Sequence, residues 1–85
     1  MIHELKTTSK YFAMIAVGSK TFDVRKNDRD FKIGDELLLK EYTTASYHSG
    51  DRYTGRILHR RIDYVLHGGQ FGIEEGYCVM SLSRL

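Results

Sequence analysis

The stretch KYFAMIAVGSKTFDVR, residues 10–25, carries the reading of the fold. Its first half is about two turns of helix: Phe12, Ile15 and Ala16 stand at i, i+3 and i+4 and make one apolar face. Thr8 or Ser9, just upstream, is a suitable N-cap, and Gly18 sits where a left-handed C-cap is wanted. A helix this short is not stable by itself, so it must lie against a sheet. The second half alternates. Phe22 and Val24 are predicted to face a core, with Thr21, Asp23 and Arg25 on the other side of a strand.

Outward from that stretch the chain reads as more strands. IHELK (2–6) is a short first strand, and KNDRDFKIGD (26–35) is a loop closed by a Gly34-Asp35 turn. ELLLKEY (36–42) is a strand buried on both faces, and TTASYHSGDRYT (43–54) is a polar loop. Residues 55–67 form a long strand pattern with Leu58, Ile62, Tyr64 and Leu66 on one face; its length calls for a bend or bulge. GGQFGIEEG (68–76) is a glycine-rich loop, and residues 77–82 are the last strand. The order is strand, helix, then four strands. One short helix cannot cover both faces of a flat sheet, so the expectation is an α+β, mainly β chain curled into a small barrel, one domain over residues 1–85. Phe22, Val24, Leu37, Leu39, Leu58, Ile62, Leu66, Val79 and Met80 are the expected core.

Composition narrows the class. Eighty-five residues are enough for one core, and the single cysteine, Cys78, excludes an intrachain disulfide and a cysteine-based zinc site. Cys78 alternates with Met80 and Leu82 and reads as packing. The four histidines, at 3, 48, 59 and 67, lack the spacing of a metal pair, so neither metal nor cofactor is expected. The start is too polar for a signal peptide, and no apolar run approaches the ~20 residues of a membrane span. A cytoplasmic chain with no membrane partner is the resulting expectation. Net charge is +2, but basic residues gather in RKNDRDFK (25–32) and at Arg52, Arg56, Arg60 and Arg61. Such clusters suit an anionic partner or belong to a solvated mixed-charge surface.

Gly18, Lys20 and Arg25 spell G-x-K-x-x-x-x-R at the helix-to-strand junction. This resembles the motif of the ASCH domain, a member of the PUA-like fold group. KTFDVRKNDRDFKIGDELLLKEY, then YTG before a long strand, then YVLHGGQFGIEEGYCVMS, resemble a small, uncharacterised bacterial and phage family related to ASCH. The resemblance implies a β-barrel with one or two flanking helices, a cleft beside the motif, and recognition of RNA or a modified nucleoside.

Each candidate has two readings. Lys20 is a solvated lysine or a point charge for a phosphate or base carbonyl. Arg25 is a fork for phosphate or a base edge, or the ion-pair partner of Asp23, Asp28 or Asp30. Asp23 then orients Arg25 or Lys20, or takes a ligand amino group. Lys26 and Arg29 raise the local potential. Asn27 closes an Asx turn or reads a base edge. The segment from His67 to Gly72 has no following Lys-Ser/Thr and is no P-loop, but Gln70 and Phe71 could read and stack a base; the plainer role of Phe71 is a core plug. With the resemblance, these residues make the expected function nucleic-acid binding, RNA favoured, with no catalytic residue. The rivals are a protein-interaction module and, as the resemblance implies, an amidohydrolase of acetylated cytidine. In that enzyme class the lysine falls on Lys20 and the threonine nucleophile on Asp23, which lacks a hydroxyl; Thr21 is near but misplaced, and Glu74 and Glu75 are candidates for the glutamate.

Overall fold

A computed structural model describes residues 1–44 and 51–85. The elements are β1 (Ile2–Thr8), α1 (Ser9–Ala16), β2 (Phe22–Lys26), β3 (Glu36–Thr44), β4 (Asp51–His67) and β5 (Tyr77–Ser83). They form one mixed sheet in the order β1-β3-β4-β5-β2. β1 pairs parallel to β3, from Ile2 opposite Glu36 to Thr8 opposite Tyr42; the other pairings are antiparallel. The sheet curls into a half-barrel with β1 and β2 as its free edges. Polar segment 43–54 is shorter as a loop than expected: Thr43 and Thr44 extend β3, and residues 51–54 begin β4. His48 lies outside the described residues.

The concave side holds the core. Leu37, Leu39, Ile62, Cys78 and Met80 are fully buried, with Ile15 of α1 packed into the same cluster; Phe12 is buried as well, with Arg56 over its ring. His3 ties the start of β1 to the turn before β3, its Nε2 2.8 Å from the Asp35 carboxylate. That bond, with the Lys32 N–H, holds the Asp35 carboxyl below the usual carboxylate range against the opposing effect of partial burial.

Two strands depart from simple alternation. In β2 the faces are reversed from the expected ones: Phe22 and Val24 are 44% and 48% exposed, while Asp23 is 6% exposed and points inward. Outside, Val24 stands opposite Val79 and Phe22 opposite Ser81, so the apolar pair gains cross-strand neighbours on the convex face. In β4 a bulge between Ile62 and Tyr64 exchanges the faces halfway. Leu58, Arg60 and Ile62 face inward before it; Val65 is buried after it, leaving Tyr64 exposed and Leu66 half-buried. Leu58 and Val79, both expected in the core, are only partly buried.

The helix ends in a Schellman motif. Gly18 has φ +86°. Its N–H donates to Ile15 O at 3.2 Å, and the Ser19 N–H donates to Met14 O at 3.0 Å. The Lys20 N–H reaches the same Met14 carbonyl at 3.1 Å, so the cap also fixes where the lysine leaves the backbone. A Cβ on Gly18 would meet nothing within 4 Å, so Gly18→Ala tests the left-handed backbone alone. Chemical denaturation is expected to show a loss on the order of 1 kcal/mol; no loss would mean that the cap relaxes without cost. At the other end Thr8 takes the N-cap position, but its side chain makes no capping bond.

Candidate functional site

Reversal of β2 turns Asp23 and Arg25 toward the seam between the two free edges. Arg25 Nε donates to Asp23 Oδ2 at 2.7 Å, and its Nη2 donates to Thr7 Oγ1 on β1 at 3.0 Å. Farther along, Arg29 Nη1 donates to the Glu4 carbonyl at 2.7 Å. The edges of the half-barrel are thus joined by arginine side chains. Lys20 completes the group. Its Nζ donates to Phe22 O at 2.9 Å and to Asp23 Oδ1 at 3.4 Å, lying 5.0 and 4.9 Å from the Tyr11 and Phe22 ring centroids. One buried carboxylate therefore holds both basic residues of the G-x-K-x-x-x-x-R segment. The Arg25 partner is Asp23, and neither Asp28 nor Asp30; Asp30 pairs with Lys32 at 3.1 Å.

A second inward carboxylate stands near the seam. Glu41 is the register partner of Thr7, is buried, and accepts a 2.7 Å bond from Thr54 Oγ1. Arg56 approaches it at 3.6 Å while lying over the Phe12 ring at 5.1 Å.

On the other side of Lys20 lies a hollow of about 130 Å³, at the C-terminal end of α1. Gly18, Lys20, Thr21, Arg60, Ser83 and Arg84 supply its polar lining, with Ile15 and Leu82 beneath. Arg60 is only 9% exposed. Its guanidinium donates to His59 O at 2.9 Å and to Ile15 O at 3.4 Å. Burial, then the charge of nearby Arg84, push that guanidinium below its usual basicity.

The remaining candidates sit toward the far end of β2, which at ~3.3 Å per residue is roughly 13 Å from its start. Lys26 is exposed. Asn27 Oδ1 accepts the Phe31 N–H at 3.0 Å, so this side chain closes the loop. His67 borders a separate hollow of about 290 Å³ with Asp30, Phe31, Lys32, Ile33 and Val65. Gln70 donates to the His67 carbonyl at 2.8 Å. Phe71 is no core plug: it is 83% exposed, with φ +53°. Its loop is joined to β2 by the Asn27 N–H on Gly76 O at 2.8 Å. Lys20 and Arg25 therefore share Asp23, while among the described residues no hydrogen bond or ion pair joins Gln70 or Phe71 to either. Glu74 and Glu75 lie on the Phe71 loop as well.

A family model described as a domain of unknown function (DUF3850) matches residues 2–82. The chain belongs to the DUF3850 family. It is also similar to an uncharacterised 12.9 kDa protein in the GpA 3′ region of Escherichia phage P2, with 38% identity over 61 residues. The match covers 72% of this chain and 50% of that protein, so the chain spans about half the length of the curated relative it matches.

The DUF3850 span includes Thr7, Lys20, Asp23, Arg25, Glu41 and Arg60; Ser83 and Arg84 fall just beyond it. Of these, Arg60 belongs to the basic cluster with Arg52, Arg56 and Arg61, but the inward placement of Thr7, Glu41 and Arg60 escapes a reading based on clusters and motifs. Parity holds a signal for two of them: Thr7 shares it with His3 and Leu5, and Arg60 with Leu58 and Ile62. Among the described residues no three His, Cys, Asp or Glu side chains are grouped to hold a metal, and no helix is long and apolar enough to cross a membrane. Burial pushes the Cys78 thiol upward in pKa, with Asp23 adding to the shift, which disfavours the nucleophilic thiolate.

Proposed function

We propose that this DUF3850 chain is an ASCH-related, PUA-like RNA-binding module whose cleft is the helix-to-strand junction at Lys20. One observation carries the reading. Lys20 and Arg25 share the Asp23 carboxylate, and Lys20 also lines an open hollow with Arg60 and Arg84, which leaves a surplus of positive charge on that side of the junction. A rigid, ion-paired arginine suits phosphate or a base edge better than a free one, because less side-chain entropy is lost on binding. The convergent cations match the electrostatic footprint of a nucleic-acid site. A lone buried thiol suits a reducing compartment, and the cytoplasm is the proposed place of action.

The test is fluorescence anisotropy with single-stranded RNA at several salt concentrations. Lys20→Ala and Arg25→Ala are each expected to weaken binding by roughly 1–3 kcal/mol and to lower the salt slope by about one phosphate contact. Affinity and slope unchanged in both folded variants, or no binding by the parent protein at low salt, would refute the reading and favour a protein partner.

A further inference from the structure

The guanidiniums of Arg60 and Arg84 stand side by side at the end of α1, and among the described residues neither has a carboxylate within ion-pair distance. Capping the helix does not account for them. Ile15 O already accepts a Schellman bond, and the arginine contacts at the helix end are long, 3.4 Å from Arg60 to Ile15 O and 3.5 Å from Arg84 to Ala16 O; the one short bond of Arg60 goes to the neutral His59 carbonyl at 2.9 Å. Arg60 faces inward and is nearly buried, where an uncompensated charge is costly. With the exposed Arg84 beside the nearly buried Arg60, and donors to spare on both, the hollow carries a charge surplus that an anion would balance.

Size and lining say which anion. A hollow of about 130 Å³ holds roughly four waters at ~30 Å³ each and falls well below the ~300–1,000 Å³ of pockets that take drug-sized molecules. Its lining offers Arg60, Arg84, Lys20 and the polar residues Thr21 and Ser83, the Ser83 hydroxyl accepting from Arg61 Nη2 at 3.4 Å, with no acidic residue. Gly18 adds no side chain at the mouth. The dimensions suit one phosphate group entering end-on, with the rest of a nucleotide or strand left outside. A phosphomonoester carries about −1.5 to −2 charge near neutral pH, against one for an internal phosphodiester, and so balances two guanidiniums better.

We infer that this hollow is a terminal-phosphate site, in which Arg60 and Arg84 grip the phosphomonoester end of an RNA strand while the strand leaves along the Lys20–Arg25 seam. That the phosphate is attached to RNA rests on the RNA-binding reading of the same junction. The phosphate chemistry itself rests on the hollow. A free mononucleotide or inorganic phosphate would offer the same group without the strand.

The experiment compares one RNA oligonucleotide with a 5′-phosphate, a 3′-phosphate or neither, by anisotropy, alongside titration of inorganic phosphate and AMP followed by amide and arginine side-chain NMR shifts. One phosphorylated end is expected to bind at least about tenfold tighter than the unphosphorylated strand. Inorganic phosphate should shift the Arg60 and Arg84 signals and abolish that preference. Arg84→Gln, at an exposed position that spares the core, should abolish the preference; Lys32→Gln, beside the other hollow, should keep it. RNA binding with no preference for either phosphorylated end overturns the terminal-phosphate site and leaves the RNA reading standing. Phosphate or AMP binding at Arg84 without RNA binding overturns the RNA reading and keeps the phosphate site, now for a small ligand. No shift at Arg60 or Arg84 with any phosphate overturns the site outright.

Discussion

Asp23→Asn is expected to destabilise the protein by on the order of 3 kcal/mol, the cost of leaving cations beside a neutral amide in a mostly enclosed place. Asp23 is the common partner of Lys20 and Arg25, and through Arg25 it reaches Thr7 on the opposite edge. Both cationic side chains are less than a quarter exposed, so water cannot fully replace the lost charge. The asparagine keeps the volume and one acceptor, so the effect isolates charge from packing. Denaturation should show a drop of roughly 10 °C or more in Tm for a chain this size. The double variant Asp23→Asn/Arg25→Gln should lose less than the sum of its parts, because the second change removes a cation that the first had orphaned. A drop below about 1 kcal/mol, or strict additivity, would mean that the seam is open to solvent and that its ion pairs are incidental.

Gly68→Ala is the second large effect, and its origin is steric. A Cβ on Gly68 would overlap the Glu74 carbonyl oxygen and stand 2.8 Å from the Tyr77 carbonyl oxygen, both backbone atoms. The glycine N–H also donates to that Tyr77 oxygen at 2.7 Å, so it cannot move aside without breaking the first rung of the loop. A loss of about 2–4 kcal/mol is expected, toward the upper range for overpacking. Loss of hydrogen-exchange protection should include the Asn27 amide, whose acceptor is Gly76 on the same loop. Gly72→Ala is the control: its φ is +78° but a Cβ there meets nothing within 4 Å, so only about 1 kcal/mol is at stake. Equal effects at the two glycines would contradict the close approach at Gly68.

The helix, its glycine cap and all five strands are legible in the sequence because each rests on a local signal. Phe12 and Ile15 mark a helical face, and Gly18 marks its end. Cys78, Met80 and Leu82 alternate into the core as their spacing suggests. Alternation gives the wrong face for β2 because it assumes that the apolar side is the buried side. An edge strand facing a polar seam breaks that assumption: Asp23 and Arg25 turn inward because they bond across to β1, and no local pattern in 21–25 records the existence of Thr7 on the other edge. In β4 a bulge is foreseeable from length, but its position is not, so alternation puts Tyr64 inside where Val65 lies. The link between Lys20 and Arg25 can be anticipated from a lysine placed to swing from the turn. The pairing of Arg60 with Arg84 cannot, since it joins distant parts of the chain at the end of a helix.

The ribosome delivers β1, α1 and β2 first, yet neither of these strands meets a pairing partner until later sequence emerges. Ile2 waits for Glu36, and Asp23 waits for Met80 on β5. Nascent protein thus carries Lys20, Asp23 and Arg25 through the synthesis of three further strands without the seam that aligns them. Closing so long a loop comes late, because its entropy must be met before the contacts can reward it. A chain cut or stalled before Tyr77 would own the whole motif and its local cap at Gly18 but not the strand pairing that aligns Asp23 and Arg25 with Thr7, so translation through β5 is what switches the junction at Lys20 from a string of residues into a place.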